Sequence, residues 1–306
     1  MHDKASLKLV SRAKINLTLE VLFRRSDGYH ELRSVMQELH LSDHLTLQDR
    51  TDSNQIELSC SHTELPRNAS NLAVKAALLM QREFAPQKGV FIELMKNIPI
   101  AAGLGGGSSN AAAVLRGLNI LWDLKLPCPV LLEMASRLGS DVPFFIKGGT
   151  ALAEGRGEKL TPLPPFPFSY VLLAAPAGAK LSAGEVYNHI FLDRIPKRAI
   201  TDSFIDELNR THLNNGDRLM RLTGMLTNHL EDAVFSLDPR VETLKNEVEK
   251  TGLPALVSGS GPTVFAVSKT PGTLQQLADQ FIEQGNTAEL TGIRQDREFK
   301  EDGDLP

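Results

Sequence analysis

The sequence predicts an α+β protein of two domains. Some segments alternate apolar and polar residues, which is typical of strands, while others carry apolar residues at helical spacing. The length of 306 residues also favours two domains, because single domains usually hold about 100 to 200 residues. The segment Thr161–Phe168 reads TPLPPFPF, and its prolines prevent regular structure and favour a stiff connector. We therefore predict an N-terminal domain over residues 1–160 and a C-terminal domain over residues 161–306.

The N-terminal domain is predicted to combine a mixed sheet with several helices. Alternation indicates the strands, and apolar residues three and four apart indicate the helices. The predicted strands are Leu7–Val10, Ile15–Phe23, Val35–Leu47, Gln55–Ser59 and Val90–Leu94. The predicted helices are Asn71–Phe84, with Asn68 or Ser70 as N-cap, a helix that runs from a glycine-rich loop to about Trp122, and Val130–Leu138, which ends at Gly139. A hairpin is predicted from Gly148 onward.

The C-terminal domain is predicted to be α+β because its order is strand, helices, strand, helix and strand. Its predicted elements are the strand Tyr170–Ala174, the helices Ala183–Ile190, Leu219–Ala233 and Val241–Val248, and a glycine-serine loop that leads into a buried strand over Ser258–Val267. Residues 196–218 are polar and receive no assignment, and a mobile insertion is one interpretation of them. The charged residues 297–306 are expected to be frayed.

Charge and cysteine usage exclude several classes of function. The chain has 33 basic and 37 acidic side chains and a net charge of −4, so neither a nucleic-acid surface nor a membrane surface is indicated. No apolar stretch reaches the roughly 18 residues of a membrane span. Cys60 and Cys128 lack metal-ligand spacing and are expected to be reduced thiols. These features predict a cytoplasmic protein. A monomer and a homodimer are both left open, and a small-molecule partner is expected.

The segment Ile98–Val114, IPIAAGLGGGSSNAAAV, is rich in glycine and serine directly before a predicted helix. Glycine allows positive φ, so successive N–H groups can converge on one point, and a helix N-terminus adds unpaired donors and a positive dipole end. The physical interpretation is a phosphate-binding loop. The lysine of a P-loop and the spacing of a dinucleotide fingerprint are both missing. The alternative interpretation is that the small residues only permit close helix packing.

Three further positions have both an ordinary and a functional interpretation. Lys14 lies between two apolar runs, which is typical of a surface lysine that snorkels. Asp141 follows a helix end, where a cap or turn residue is usual. Tyr29 and His30 follow an Asp-Gly turn and are compatible with an ordinary hairpin. The alternative for this pair is an aromatic face that stacks on a planar ring while the imidazole hydrogen-bonds its edge.

Three stretches together resemble the motifs of one family. AKINLTLEV at residues 13–21, PIAAGLGGGSSNAA at 99–112 and SGSGPTVFAV at 258–267 resemble, in order and spacing, the small-molecule kinases named after galactokinase, homoserine kinase, mevalonate kinase and phosphomevalonate kinase. The resemblance implies an α/β two-layer sandwich of two domains, an active site in the cleft between them, and ATP with Mg²⁺. RRSDGYHEL at 24–32 narrows it to members that phosphorylate a cytidine-diphosphate sugar alcohol for non-mevalonate isoprenoid biosynthesis.

The resemblance also implies roles for single residues. Lys14 and Asp141 match catalytic positions, and either Ser108 or Ser109 would approach magnesium. The residues implied in ATP binding are Asn71 and Lys96 near the adenine and ribose, Pro99, and the phosphate loop of Gly103, Leu104, Gly105, Gly106, Gly107, Ser108 and Ser109. The residues implied in substrate binding are Asn16, Tyr29, His30, Asp141 and Tyr187. In this assignment His30 bonds the cytosine edge, Tyr29 stacks on the base and Tyr187 covers it.

The sequence departs from the family pattern at two places. Ser11 and Arg12 precede the first motif where proline is usual, which alters loop stiffness rather than chemistry. Ala183 stands where threonine is usual before the aromatic residue of the second domain, which removes one hydroxyl.

Two other functions stay open. One is a kinase of the same family for homoserine, mevalonate or a sugar, which the Asp-Gly-Tyr-His stretch disfavours. The other is a regulatory nucleotide-binding protein without catalysis, which the presence of Lys14 and Asp141 disfavours.

Overall fold

The computed structural model describes residues 5–192, 200–210 and 215–295, and these form two compact units. Unit 1 comprises residues 5–13, Leu41–Pro99 and Gly105–Lys147. Unit 2 comprises Lys14–His40, Ile100–Leu104 and the described residues from Gly148 onward. The two longest strands therefore each contribute to both units. The domain boundary at residue 160 stays a prediction.

The strands and helices alternate in short blocks along the chain. The strands are β1 (Ser6–Arg24), β2 (His30–Arg50), β3 (Ile56–Cys60), β4 (Gly89–Met95), β5 (Thr150–Gly155), β6 (Lys159–Pro162), β7 (Tyr170–Ala175), β8 (Thr227–Asn228), β9 (Ala255–Val257), β10 (Val264–Ser268) and β11 (Thr287–Gly292). The helices are α1 (Leu72–Phe84), α2 (Gly106–Leu121), α3 (Cys128–Leu138), α4 (Val142–Lys147), α5 (Ala183–Asn188), α6 (Thr201–Asn209), α7 (Asn215–Thr223), α8 (Glu231–Leu237), α9 (Pro239–Glu249) and α10 (Gly272–Glu283). This mixture confirms the predicted α+β class.

Unit 1 packs its helices against strands of mixed direction. The second half of β2 pairs antiparallel with β4, and β3 pairs parallel with β4. Helix α2 approaches β1 and β2 so closely that a Cβ at Gly117 would stand 2.4 Å from Leu9 Cδ1 and 2.5 Å from Leu47 Cδ1. Only glycine fits there without displacing a core leucine. The close contact fixes the position of α2, whose first turn contains the predicted phosphate-binding residues.

Unit 2 contains two sets of strands. From Lys14 onward β1 pairs parallel with β8, while the first half of β2 pairs antiparallel with β5, which forms a hairpin with β6. A second sheet is antiparallel in the order β11, β7, β10, β9. Helices α8, α9 and α10 share one apolar core with it. This core includes Leu172, Val234, Val241, Val248, Val257, Ala266, Leu274 and Phe281.

One strand prediction and one helix prediction were wrong, because contacts between residues far apart in the sequence decide the structure there. The predicted break between two N-terminal strands does not exist, because Ser11 and Lys14 are buried polar residues inside one continuous strand. The predicted helix Leu219–Ala233 is interrupted by Gly224 and by β8, which leaves the helical path to pair with β1. The predicted N-cap of α1, Asn68 or Ser70, was also wrong, because Asn71 caps the helix and its side chain accepts from Ala73 N. The other predicted strands and helices are present with shifted ends.

Several expectations concern the chain as a whole. Both cysteines are free, as predicted, with Cys60 buried and Cys128 partly exposed. Among the residues that the structure describes, none of the helices combines the length and apolar character that a membrane crossing requires. The unassigned segment 196–218 is partly helical, since it includes α6 and the start of α7. Its residues 196–199 and 211–214, and the terminal residues 297–306, lie outside the described ranges.

Candidate active site

The first turn of α2 presents unpaired backbone donors. Gly105 caps the helix with φ 72° and no side chain caps it. The N–H of Ser109 donates to Gly105 O at 2.9 Å, so the N–H groups of Gly106, Gly107 and Ser108 precede the first intrahelical bond. These residues lie inside the helix rather than before it, which corrects the sequence-based placement. With the positive end of the helix dipole, these N–H groups favour the binding of an anion at this turn.

The space around these glycines differs from one to the next. A Cβ at Gly106 would stand 3.0 Å from Lys96 Nζ and 3.0 Å from Ile98 Cγ2, so a side chain there would require these two neighbours to shift by a few tenths of an ångström. Gly107 is exposed, and its Cβ would meet only Leu72 Cδ1 at 3.7 Å. Gly107 therefore leaves the outer side of the turn open to a ligand, whereas Gly106 makes room for a buried lysine.

The side chains of Ser108 and Ser109 lie in different surroundings. Ser109 is 2% exposed, and its Oγ accepts a hydrogen bond from Ser11 Oγ at 2.9 Å. Ser108 is partly exposed at the first turn of the helix. Of the two candidates for approaching magnesium, Ser109 is thus engaged with the interior, and Ser108 is the better placed.

The residues implied in adenine and ribose binding are held by protein contacts. Lys96 Nζ donates to Asp43 Oδ2, and the two side chains are 5% and 0% exposed. Asn71 uses Oδ1 to cap α1 and Nδ2 to donate to Pro66 O at 2.9 Å. Pro99 is exposed in the connection between β4 and the glycine loop. The functional groups of Lys96 and Asn71 are therefore already engaged within unit 1.

Asp141 lies in the turn between α3 and α4. The turn begins at Gly139, which ends α3, and Val142 N donates to Gly139 O at 3.3 Å. Asp141 is partly exposed, whereas Phe144 and Ile146 directly after it are fully buried. The buried helix α4 fixes this carboxylate at its N-terminal end, on the connector that the sequence predicted.

In unit 2 the first and third motifs meet at Lys14. Its side chain is 3% exposed, so it is not a snorkelling surface lysine. Lys14 Nζ donates to Asn16 Oδ1 at 2.7 Å, and Lys14 N donates to Leu104 O at 3.0 Å. A Cβ at Gly259 would stand 3.1 Å from Lys14 Nζ, and one at Gly103 would stand 2.1 Å from the Ser258 carbonyl oxygen. Both glycines permit close backbone packing around the ammonium group.

Sequence reasoning missed a serine that supports this lysine. Asn16 Nδ2 donates to Ser34 Oγ at 2.7 Å, and Ser34 Oγ donates to Thr18 O at 2.6 Å. The hydroxyl therefore fixes which way the Asn16 amide points, so that its oxygen faces Lys14. Alternation along β2 could have identified Ser34 only as a buried polar residue, because its partner lies on another strand.

The predicted cytosine residues occupy two different surroundings in unit 2. The rings of His30 and Tyr187 stack with centroids 5.3 Å apart and planes at 23°. Burial, assisted by the nearby Arg24, lowers the pKa of His30 below its ordinary value of 6.5, so the ring is neutral at pH 7 and can both donate and accept. Tyr29 is 53% exposed, and Arg156 Cζ lies 4.9 Å from its ring centroid. Sequence reasoning did not single out Arg156.

Binding of a metal ion at this site would require ligands from a bound nucleotide as well as from the protein. Within the described ranges, no group of three or more His, Cys, Asp or Glu side chains could hold a metal ion on its own. Mg²⁺ commonly binds through one or two carboxylates together with substrate phosphates and water. A serine or threonine hydroxyl also holds Mg²⁺ in some phosphoryl-transfer sites, and Ser108 offers such a hydroxyl in the first turn of α2.

Comparison with known proteins gives the class. The family model described as GHMP kinases N terminal domain matches residues 71–149, and the one described as GHMP kinases C terminal matches residues 204–287. These matches place the chain in the class of ATP-dependent small-molecule kinases.

Individual relatives narrow this class. A 4-diphosphocytidyl-2-C-methyl-D-erythritol kinase of Alkaliphilus metalliredigens is 43% identical over 87% of this chain and 89% of its own length. A 4-diphosphocytidyl-2-C-methyl-D-erythritol kinase of Geobacillus sp. is 42% identical over 87% of this chain and 89% of its own length. A crystal structure of 4-(cytidine 5'-diphospho)-2C-methyl-D-erythritol kinase has a TM-score of 0.75 and 31% identity, and covers 94% of this chain and 99% of that one. The chain belongs to the family of the 4-diphosphocytidyl-2-C-methyl-D-erythritol kinases.

Proposed function

We propose that the chain phosphorylates the 2-hydroxyl of 4-diphosphocytidyl-2-C-methyl-D-erythritol with ATP, in the non-mevalonate route to isoprenoid precursors. The family supports the reaction type. The observation that carries the choice of acceptor is the stack of His30 on Tyr187, since homoserine, mevalonate and simple sugars contain no base that such a pair would recognise. The names of the relatives agree with this acceptor.

ATP is proposed to bind with its phosphates on the first turn of α2. The donors are the N–H groups of Gly106, Gly107 and Ser108, supported by the positive end of the helix dipole, which contributes about 0.3–1 kcal/mol for an exposed anion. The Ser108 hydroxyl is proposed to reach Mg²⁺, and Ser109 is the weaker candidate because Ser11 already binds it. Bound Mg²⁺ would neutralise charge on the transferred phosphoryl group.

Lys14 and Asp141 are proposed as the catalytic residues. Phosphoryl transfer has a loose transition state, so alignment and charge stabilisation supply most of the acceleration. Lys14 contributes a positive charge whose direction is set by its hydrogen bond to Asn16, and the missing Cβ of Gly259 leaves room for the ammonium group. Asp141 aligns the acceptor hydroxyl and accepts its proton late in the reaction, when a weak base suffices.

The cytosine ring is proposed to bind through His30, Tyr29 and Tyr187. The neutral His30 imidazole has a donor and an acceptor for the base edge, and the two tyrosines supply aromatic faces. Arg156 lies over the Tyr29 ring, so the base is expected on the opposite face of Tyr29. Asn16 is proposed to contact the acceptor through the same amide that orients Lys14.

The remaining proposals concern the setting of the enzyme. Two free cysteines and a net charge of −4 support a cytoplasmic protein without nucleic-acid partners. A monomer or a homodimer is proposed, with a domain boundary near residue 160.

The proposal is tested by ADP release with a panel of acceptors. Purified protein with MgATP is expected to release ADP in the presence of 4-diphosphocytidyl-2-C-methyl-D-erythritol and not with homoserine, mevalonate or galactose. Faster turnover of any of those three would assign the chain to another acceptor. ATP binding without turnover of any acceptor would favour a regulatory nucleotide-binding protein.

A further inference from the structure

A buried carboxylate lies beneath the phosphate-binding turn and has no role so far. Asp43, on β2, is fully buried. Its Oδ1 accepts from Asn97 N and from Ile98 N, each at 2.8 Å. Its Oδ2 accepts from Asn110 Nδ2 at 2.8 Å and from Lys96 Nζ. A carboxylate with donors on both oxygens is held in one orientation, so Asp43 ties β2 to the chain that enters the glycine loop.

The other end of this network reaches α2. Lys96 Nζ lies next to Gly106, where a Cβ would stand 3.0 Å from it, and it is 3.5 Å from Asn110 Oδ1. Asn110 Nδ2 also donates to Ser11 Oγ at 2.8 Å, and that hydroxyl donates to Ser109. The network therefore contacts the first two turns of α2 from the inside, on the side opposite to the open Gly107.

Electrostatics explains why the carboxylate is needed. The N-terminus of a helix carries about half a positive charge, which disfavours a cation beside it. A buried ammonium group also loses its hydration. Asp43 offsets both effects for Lys96, so the lysine can remain against Gly106. The positive helix end then stays directed outward, toward a bound anion.

We propose that Asp43 is a positioning residue for ATP phosphates. Acting through Lys96, Asn110 and the Asn97–Ile98 backbone, it holds the first turn of α2 in the arrangement that its N–H groups need. The Lys96 ammonium group accordingly supports the phosphate-binding turn from beneath and does not contact the adenine. This inference rests on the proposed function, because it takes ATP as the ligand of that turn.

The test compares Asp43→Asn with a matched control, Asp49→Asn. Asp49 lies on the same strand, is 8% exposed, and pairs with a lysine, Lys88, at 3.5 Å. Asp43→Asn is expected to raise the KM for MgATP about 10- to 100-fold, as misplaced binding groups do. The KM for the cytidine substrate should be unchanged, and Asp49→Asn should match the wild type.

Base selectivity separates the phosphate role from an adenine role. If Asp43 and Lys96 act on the phosphates, then Asp43→Asn and Lys96→Met should raise the KM for ATP and for GTP by the same factor. A loss confined to ATP would assign Lys96 to the adenine and overturn the proposal. Wild-type affinity for MgATP in folded Asp43→Asn would overturn it as well.

A second variant covers the case in which Asp43→Asn does not fold. Asp43→Asn combined with Lys96→Met removes both charges, so no unpaired ammonium group stays buried. The double variant is expected to fold, as shown by thermal unfolding, and to bind MgADP more weakly than the wild type in calorimetry. Equal MgADP affinity would refute the positioning role. Because this binding measurement needs no acceptor, an inactive wild type would contradict only the proposed function.

Discussion

Units 1 and 2 each bury a lysine next to motif residues, and they hold it with different chemistry. In unit 1 the partner of Lys96 is the fully buried carboxylate of Asp43. In unit 2 Lys14 donates to the neutral amide oxygen of Asn16, which is fixed by Ser34. The Asp43 carboxylate offsets the charge of Lys96, and the Asn16 amide oxygen directs the ammonium group of Lys14. We propose that Lys96 shapes the protein and that Lys14 acts on a ligand.

The two buried polar networks also extend in different directions. The network of unit 1 ends at Ser109, in the first turn of α2. The network of unit 2 continues from Ser34 to Thr18, and Thr18 Oγ1 accepts from Thr201 Oγ1 at 3.0 Å at the start of α6. We therefore expect variants in the unit 1 network to change the use of ATP, and variants in unit 2 to change the use of the acceptor or the rate of transfer.

Substitution of Asp141 is expected to have the largest effect on catalysis. This residue is also an exception to the assignment of unit 1 to ATP and unit 2 to the acceptor. Although it belongs to unit 1, its proposed partner is the acceptor hydroxyl. Asp141→Asn should therefore lose more than about 10²-fold in kcat, the magnitude of general-base catalysis, with little change in either KM. Steady-state kinetics would measure this, with Asp123→Asn, an exposed aspartate in another connector, as the control. A near-normal kcat would remove Asp141 from the mechanism.

His30→Ala should be next in size and should affect the acceptor alone. An unpaired base edge in a closed site costs about 1–3 kcal/mol, which is about 5- to 150-fold in KM for the cytidine substrate. The KM for ATP is expected to be unchanged. His189→Ala is the matched control, because His189 is exposed on the turn after α5. If His30→Ala raised the KM for ATP alone, the assignment of unit 2 to the cytosine would be wrong.

Ser34→Ala probes the amide that directs Lys14. Without the serine oxygen, Asn16 Nδ2 loses its acceptor and the amide can rotate away from the ammonium group, so kcat is expected to fall about 10-fold. Ser34→Thr keeps the hydroxyl and should restore the rate. Loss of stability in Ser34→Ala without any change in kcat would show that Ser34 supports the fold and not the lysine.

The smallest expected effect is a pH dependence of stability in unit 2. Burial lowers the pKa of His229 below its ordinary value of 6.5, so between these two pKa values the unfolded chain binds more protons than the folded one. The free energy of unfolding should therefore fall as the pH drops below 6.5. Thermal unfolding of His229→Gln should show a weaker decrease from pH 7 to pH 5 than the wild type. An unchanged decrease would exclude His229 as its source.

The protein family and the helix after the glycine loop could be predicted from local sequence. The buried partners that hold the site residues in place could not. The order of the motifs predicted the kinase family, and the glycine and alanine pattern predicted a helix at the proposed phosphate-binding loop. The pairing of Asp43 with Lys96 spans 53 positions, and that of Ser11 with Ser109 spans 98. Periodicity within a segment carries no information on such partners. The predicted break in β1 was wrong for the same reason, because a buried polar residue looks like a loop until its partner is known.

The burial of the aromatic residues also depends on partners that a local sequence pattern does not reveal. Sequence reasoning identified Tyr29, His30 and Tyr187, and His30 and Tyr187 do meet in unit 2. It did not foresee that His30 would be buried while Tyr29, the adjacent residue, stays half exposed under Arg156. Which of two neighbours is covered depends on α5 and the β5–β6 hairpin, and both lie more than a hundred residues further along the chain.

A phosphorus NMR time course would test the proposed reaction most directly. Purified protein would be mixed with MgATP and 4-diphosphocytidyl-2-C-methyl-D-erythritol. We expect a new phosphomonoester signal to grow together with the signals of ADP, while the diphosphate signals of the cytidine substrate persist. Release of inorganic phosphate without a phosphomonoester, or loss of the substrate diphosphate, would contradict phosphoryl transfer to its hydroxyl group.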